Sequence, residues 1–187
     1  MLIVACFVLA TWFPDCFEAA PYLWVVGPLG SAKTKLLRLL WSMCRRGLIA
    51  GDLRSASVYK LMDAWGPTLI IDELELGGSG ANAELLRLLR TGSGPGVPAF
   101  SNGQGFSTCC PKVVASRQPL GEAALLSRGL IVSLLPTDDD LLPLDQAAMT
   151  QITADLQGKL LMFRLQNLHA LKNFASPRMS CEGSTPV

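Results

Sequence analysis

The residues with the clearest chemical purpose run Gly27-Pro-Leu-Gly-Ser-Ala-Lys-Thr34. A glycine-rich turn that leads into Lys-Thr is suited to a polyphosphate. Its successive backbone N–H groups converge on phosphate oxygens, Lys33 offsets the charge of the β- and γ-phosphates, and the Thr34 hydroxyl ligates Mg²⁺. Gly27, Gly30, Ser31, Ala32, Lys33 and Thr34 are therefore the expected contacts to a nucleoside triphosphate, ATP, with Mg²⁺. Ala32 stands where the pattern GxxxxGK[ST] has its second glycine. A residue entering a helix is expected to have helical dihedrals, which alanine accepts, so the departure predicts weakened rather than abolished binding.

Leu69-Ile-Ile-Asp-Glu73 supplies a second constellation, a carboxylate pair just past an apolar run. Asp72 is placed to hold Mg²⁺ through water, and Glu73 to activate the attacking water as general base. Two later positions fit supporting roles. Ser116 or Arg117, ending the run 112–116, suits contact with the γ-phosphate or the attacking water. Arg128, in Leu126-Ser-Arg-Gly129, suits an arginine finger directed at a neighbouring subunit. Each of these features alone also describes an ordinary turn or a solvated strand end; their order along the chain is what makes a site.

These residues need elements to hold them. Residues 22–26 read as a fully buried strand, an unbroken apolar run bounded by Pro and Gly, with the glycine-rich turn directly after it. From 34 to 46 the apolar residues Leu36, Leu37, Leu39, Leu40, Trp41 and Met43 recur at helical spacing, with Lys35, Arg38, Arg45 and Arg46 on the remaining face and Gly47 as the expected cap. A short helix over 57–64, a buried strand over 68–72 and a helix over 81–90 follow. Asn102-Gly103 centres a hairpin over 97–108. Strands over 112–116 and 130–134 and one or two amphipathic helices over 146–173 complete the pattern. Strands alternating with helices predict an α/β fold of P-loop NTPase type, a parallel sheet flanked by helices with ligands at the carboxyl ends of the strands. The expected organisation is a nucleotide-binding core over 1–140, a small helical, lid-like appendage over 141–175 and a disordered tail over 176–187.

Composition bounds the function. The chain has 187 residues, half of them apolar, and a formal net charge of +1. That is enough for one main domain, and it carries no overall electrostatic footprint for non-specific nucleic-acid or membrane binding. Cys6, Cys16, Cys44, Cys109, Cys110 and Cys181 form no CxxC pair, and His169 is the only histidine, so zinc is not expected and the thiols read as reduced in the cytoplasm. The uncharged run 1–13 ends at Pro14-Asp15, short of a membrane span. It lacks a basic start, so it reads as a buried helix packed on the core.

With these residues assembled, the chain resembles the AAA+ ATPase module of phage and plasmid primase-helicase proteins, akin to the superfamily three helicases, over most of residues 4–175. The likeness rests on Ala10-Thr-Trp12, Ala20-Pro-Tyr-Leu23, the loop itself and Ile71-Asp-Glu73. It continues through Phe106-Ser-Thr-Cys-Cys-Pro-Lys112, Leu126-Ser-Arg128 and Lys159-Leu-Leu-Met-Phe-Arg164. The resemblance implies an ATP-hydrolysing, helicase-like motor, a homo-oligomeric ring acting on single-stranded DNA in replication of a mobile genetic element. It implies that the hairpin touches DNA in the central channel, yet the apex Ser101-Asn-Gly-Gln104 has no Lys or Arg to grip a phosphate. It further implies that the chain is a truncated remnant or one segment of a larger primase-helicase. Two alternatives stay open: a nucleotide-binding interaction module without turnover, and a small-molecule kinase, against which the absence of a recognisable arginine-bearing lid argues.

Overall fold

The computed structural model describes residues 1–50, 56–72, 81–101, 103–118, 121–136 and 146–175. Glu73, Asn102, the start of the proposed lid segment and the proposed disordered tail lie outside the described residues.

The centre is strand β1, Tyr22–Val26, all five residues of which are buried. Side chains alternate across a strand, and here both faces are covered. Tyr22 and Trp24 point to one side, where they join Leu69, Ile71 and Val114 beneath Tyr59, Met62, Leu85, Leu88 and Leu89. Leu23 and Val25 point to the other, where they join Ile70, Val113 and Ala115 against Phe7, Val8, Leu37 and Leu40. The helices supplying those covers are α1 (Leu2–Thr11) and α2 (Lys33–Met43) on one face, and α3 (Ala56–Trp65) and α4 (Ala81–Thr91) on the other.

The sheet has five strands, in the order β2-β3-β6-β1-β7, and every pairing is parallel. Beside β1 they are β2 (Gly47–Ala50), β3 (Thr68–Ile71), β6 (Lys112–Ser116) and β7 (Gly129–Ser133). This is the expected α/β architecture, a P-loop type sheet flanked by helices. Strands β4 (Ala99–Ser101) and β5 (Gln104–Phe106) form the expected antiparallel hairpin, with Gly103 at φ 77° as its tight turn requires. Phe106 is buried in the core, whereas Phe100 is 63% exposed. A short helix, α5 (Ala123–Leu126), leads into β7.

Three features differ from the sequence reading. Gly47 does not cap α2: Cys44 does, Arg46 makes the left-handed turn at φ 51°, and Gly47 opens a strand that the short run Gly-Leu-Ile-Ala concealed. A Cβ on Gly47 would lie 2.3 Å from the Trp41 carbonyl oxygen, which explains the glycine. Trp41, counted among the inward residues of α2, is 48% exposed. Helix α1 is not buried all round, because only the side carrying Phe7, Val8 and Thr11 meets the sheet while Leu2, Ile3 and Leu9 face outward. Of the one or two helices expected over 146–173, the structure forms one, the 30-residue α6 (Gln146–Ala175).

Helix α6 is anchored by polar bonds at the far end of α2. Gln157 Nε2 donates to the Ser42 carbonyl at 2.5 Å, and Arg164 donates to the Trp12 carbonyl and to the Asp15 carboxylate. Phe163 meets Phe13 edge to face at 5.7 Å. No described helix is long and apolar enough to cross a membrane.

Candidate functional site

The sheet's carboxyl edge gathers the glycine-rich loop, Thr34, Asp72, Ser116 and Arg117. Register places Val26 level with Ser116 and with Ser133, so the chain leaves β1 at the rim formed by its two neighbours. The Gly27 N–H donates to the Ser116 carbonyl at 3.1 Å, tying the start of the loop to the end of β6. A Cβ on Gly27 would meet Ser31 Oγ at 2.5 Å and the Leu134 carbonyl oxygen at 2.9 Å, so only glycine fits there.

The loop then turns tightly enough for Ser31 Oγ to donate to the Pro28 carbonyl at 2.8 Å. Gly30 has φ 78° and Ala32 has φ 58°, ψ 24°. The expectation of helical dihedrals at Ala32 is therefore corrected. Ala32 is the left-handed residue preceding α2, and its Cβ makes that conformation cost about 1–2 kcal/mol. Helix α2 starts at Lys33 with no acidic residue in its first turn, so its free N–H groups and positive dipole end face the loop uncompensated.

Lys33 curls back over this turn, its Nζ donating at 2.6 Å to the carbonyls of both Gly27 and Pro28. Thr34 reaches across the sheet edge. Its Oγ1 donates to Asp72 Oδ2 at 3.3 Å, joining residues 38 apart in sequence. Strand β6 lies between β1 and β3, a gap of two strand spacings or about 9.5 Å. The loop crosses that gap and sets a hydroxyl beside a carboxylate at the exposed rim. Hydroxyl, carboxylate and room for water are the hard oxygen donors that Mg²⁺ takes, and the loop's amides with Lys33 suit the phosphates it accompanies. The residues present thus fit a magnesium–nucleotide.

The remaining candidates are placed less uniformly. Ser116 is buried at the end of β6, and its hydroxyl donates to the Gln118 carbonyl at 2.7 Å. Arg117 follows it, exposed. Glu73, next to Asp72, is outside the described residues. Arg128 lies at the opposite edge of the sheet, because Gly129 is level with Tyr22, about 16 Å down the strands from the loop. Its guanidinium is turned into its own chain, donating to the Arg90 carbonyl and to Ser93 Oγ at 3.1 Å. Those acceptors sit at the carboxyl end of α4, where unpaired carbonyls and the helix dipole draw a cation.

Sequence reasoning passed over two features. Lys112 is fully buried, and its Nζ donates to the carbonyls of Gly92, Thr108 and Cys110 at 2.7, 2.9 and 3.0 Å. It also lies 4.9 Å from the centre of the Tyr22 ring. Burial pulls its pKa below the usual lysine value, opposed by the neighbouring cysteines. A lysine opening an apolar strand was the available signal. The second feature is a cleft of about 830 Å³ between the carboxyl end of α2 and α6, away from the loop. The spacing Arg38, Trp41, Arg45 marks it in the sequence.

No family model matches the chain, and no curated protein matches it. Among solved structures, it is similar to the crystal structure of JCV helicase, at TM-score 0.47 and 13% identity over 94% of this chain and 61% of that one. It is also similar to the apo C-terminal region of NrS-1, at TM-score 0.47 and 11% identity over 94% of this chain and 52% of that one. The chain spans between about half and three fifths of the length of these structures.

Proposed function

We infer that this chain binds ATP with Mg²⁺ in the loop Gly27–Thr34 and works as the nucleotide-driven module of a helicase-like motor on DNA. The observation that carries the reading is the Thr34–Asp72 hydrogen bond, which joins the two constellations separately read from the sequence at the carboxyl edge of a parallel sheet. The backbone amides of Ser31 to Thr34 and Lys33 Nζ would hold the phosphates; Thr34 and Asp72 would hold the metal. Bound there, Mg²⁺ supplies charge neutralisation on the transferred phosphoryl group. Lys33 already has two oxygen acceptors within 2.6 Å, so its side chain reaches over the cradle. Ser116, tied to the loop through its carbonyl, would carry changes at the phosphate end into β6. Glu73 is proposed as general base from its place in the sequence. The role in replicating a mobile element and the ring assembly rest on the family resemblance.

A second reading, nucleotide binding without turnover, is favoured by Ala32, whose Cβ strains the turn where glycine would not. Phosphate release from ATP with and without single-stranded DNA separates the two. Turnover that Glu73→Gln abolishes supports the motor. ATP binding with no turnover, and indifference to Glu73→Gln, supports the second reading.

A further inference from the structure

The cleft between α2 and α6 is far from the phosphate loop, and its lining is unlike that of a packing defect. Arg38, Arg45 and Arg46 border it together with Trp12, Trp41 and Gln157, and among the described residues no Asp or Glu lines it. Trp12 is spent structurally, its indole N–H donating to the Met43 carbonyl at 3.0 Å. Trp41 is not, and presents almost half of its surface. Arg46 donates to the Trp65 carbonyl. Among the described residues, neither Arg38 nor Arg45 has an ion pair or a guanidinium hydrogen bond.

The charge is crowded as well as unpaired. Burial, then the like charges of Arg46 and Arg164, lower the Arg45 pKa, and the charge of Asp15 opposes them. The half-buried guanidinium of Arg45 stays charged even so. Uncompensated cations beside an open indole leave an electrostatic deficit that an anion would fill.

We propose that this cleft is a binding site for a single strand of nucleic acid, with one base stacked on Trp41 and the flanking phosphates paired with Arg38 and Arg45. The spacing supports it. Arg38 and Trp41 lie at i and i+3 on α2, neighbours on one face of the helix, and Arg45 lines the same cleft from the turn just past the helix end. Stacking platforms alternating with arginines bind single strands without regard to sequence. Thr153 and the side-chain carbonyl of Gln157, whose amide N–H donates to Ser42, line the cleft from α6 without charge and suit base edges. An acidic peptide would use the arginines but would not need the indole. The hairpin, by contrast, offers the exposed Phe100 but no cation at its apex.

The site does not depend on the nucleotide reading, and the test separates them. Anisotropy of a short fluorescein-labelled oligothymidine is measured in the absence of nucleotide, with thermal melts confirming that each variant folds. The double variant Arg38→Ala/Arg45→Ala should weaken binding at least tenfold and flatten the log–log salt slope by about 1.4, at about 0.7 per phosphate released from a single strand. Trp41→Ala should weaken binding and Trp41→Phe restore it, while Lys33→Ala leaves it unchanged. Four results would overturn the proposal: no strand binding at low salt; binding lost with Phe100→Ala yet indifferent to the arginines; binding indifferent to Trp41→Ala; or displacement by polyglutamate as effective as by unlabelled strand. The last would make the cleft a docking site for acidic protein.

Discussion

At Ala32 the backbone is left-handed although the residue is not glycine, and one methyl group therefore sets the character of the whole loop. Replacing it with glycine removes that strain, against a smaller entropic loss in the unfolded chain. Ala32→Gly should raise stability by about 1 kcal/mol and tighten ATP binding, as read from urea unfolding and nucleotide titration. A loss of about 1 kcal/mol, the usual penalty for glycine in a helix, would show that Ala32 is helical after all. The meeting of Thr34 with Asp72 was legible because the chemistry proposed for this edge calls for those residue types in that order. The sign of φ at Ala32 was not, since it is set by how the loop closes against Ser116 and Leu134. A second residue-scale expectation concerns thiols. Burial pushes Cys44 up to about 12, with a hydrogen bond to Thr11 opposing, whereas Cys6 is exposed. Under native conditions at neutral pH, alkylation mapped by peptide mass should label Cys6 readily and Cys44 only on unfolding; early labelling of Cys44 would contradict its burial.

Among the elements, β2 is where local pattern and tertiary structure part. Gly-Leu-Ile-Ala after a helix looks like a cap and a loop, and only the register against Thr68–Ile71 makes it a strand. The tight approach of Gly47 to the Trp41 carbonyl gives this a test. Gly47→Ala places backbone against a new Cβ with no flexible side chain to yield, so stability should fall by about 2 kcal/mol or more in urea unfolding. A neutral result would remove the close turn from α2 into β2.

The long helix α6 offers a pH dependence. Burial alone would raise the Asp15 pKa, but the hydrogen bond and charge of Arg164 outweigh it and leave the carboxyl below its usual value. A carboxyl with a depressed folded pKa contributes stability above its unfolded pKa, about 3.9, and that contribution is lost as pH falls through the folded value. The pair is partly exposed, so the effect is modest. Asp15→Asn should lower stability near neutral pH and flatten the decline below about pH 4. An unchanged acid limb in urea melts would mean that the pair does not anchor α6.

For the molecule as a whole, the decisive arrangement is the interposition of β6 between β1 and β3, which puts Thr34 and Asp72 at opposite sides of one strand end rather than on adjacent strands. The alternation of buried strands and helices foretold a parallel sheet, and the apolar runs 22–26, 68–71 and 112–116 are its interior strands. The order of strands was not written in any run, because it depends on which crossover covers which face. Neither was the rotation of Arg128 onto the end of α4, which follows from the carbonyls it finds there.

The claim on which the rest depends is that the turn after β1 and the acid after β3 form one magnesium–nucleotide site. Calorimetric titration of ATP into the wild type, Lys33→Ala and Asp72→Asn, each with and without Mg²⁺, tests it most directly. Wild-type binding should be strengthened by Mg²⁺, Lys33→Ala should bind at least about tenfold more weakly, equivalent to about 1.4 kcal/mol, and Asp72→Asn should lose the Mg²⁺ dependence. Equal affinity in all three proteins, with the same response to Mg²⁺, would contradict it.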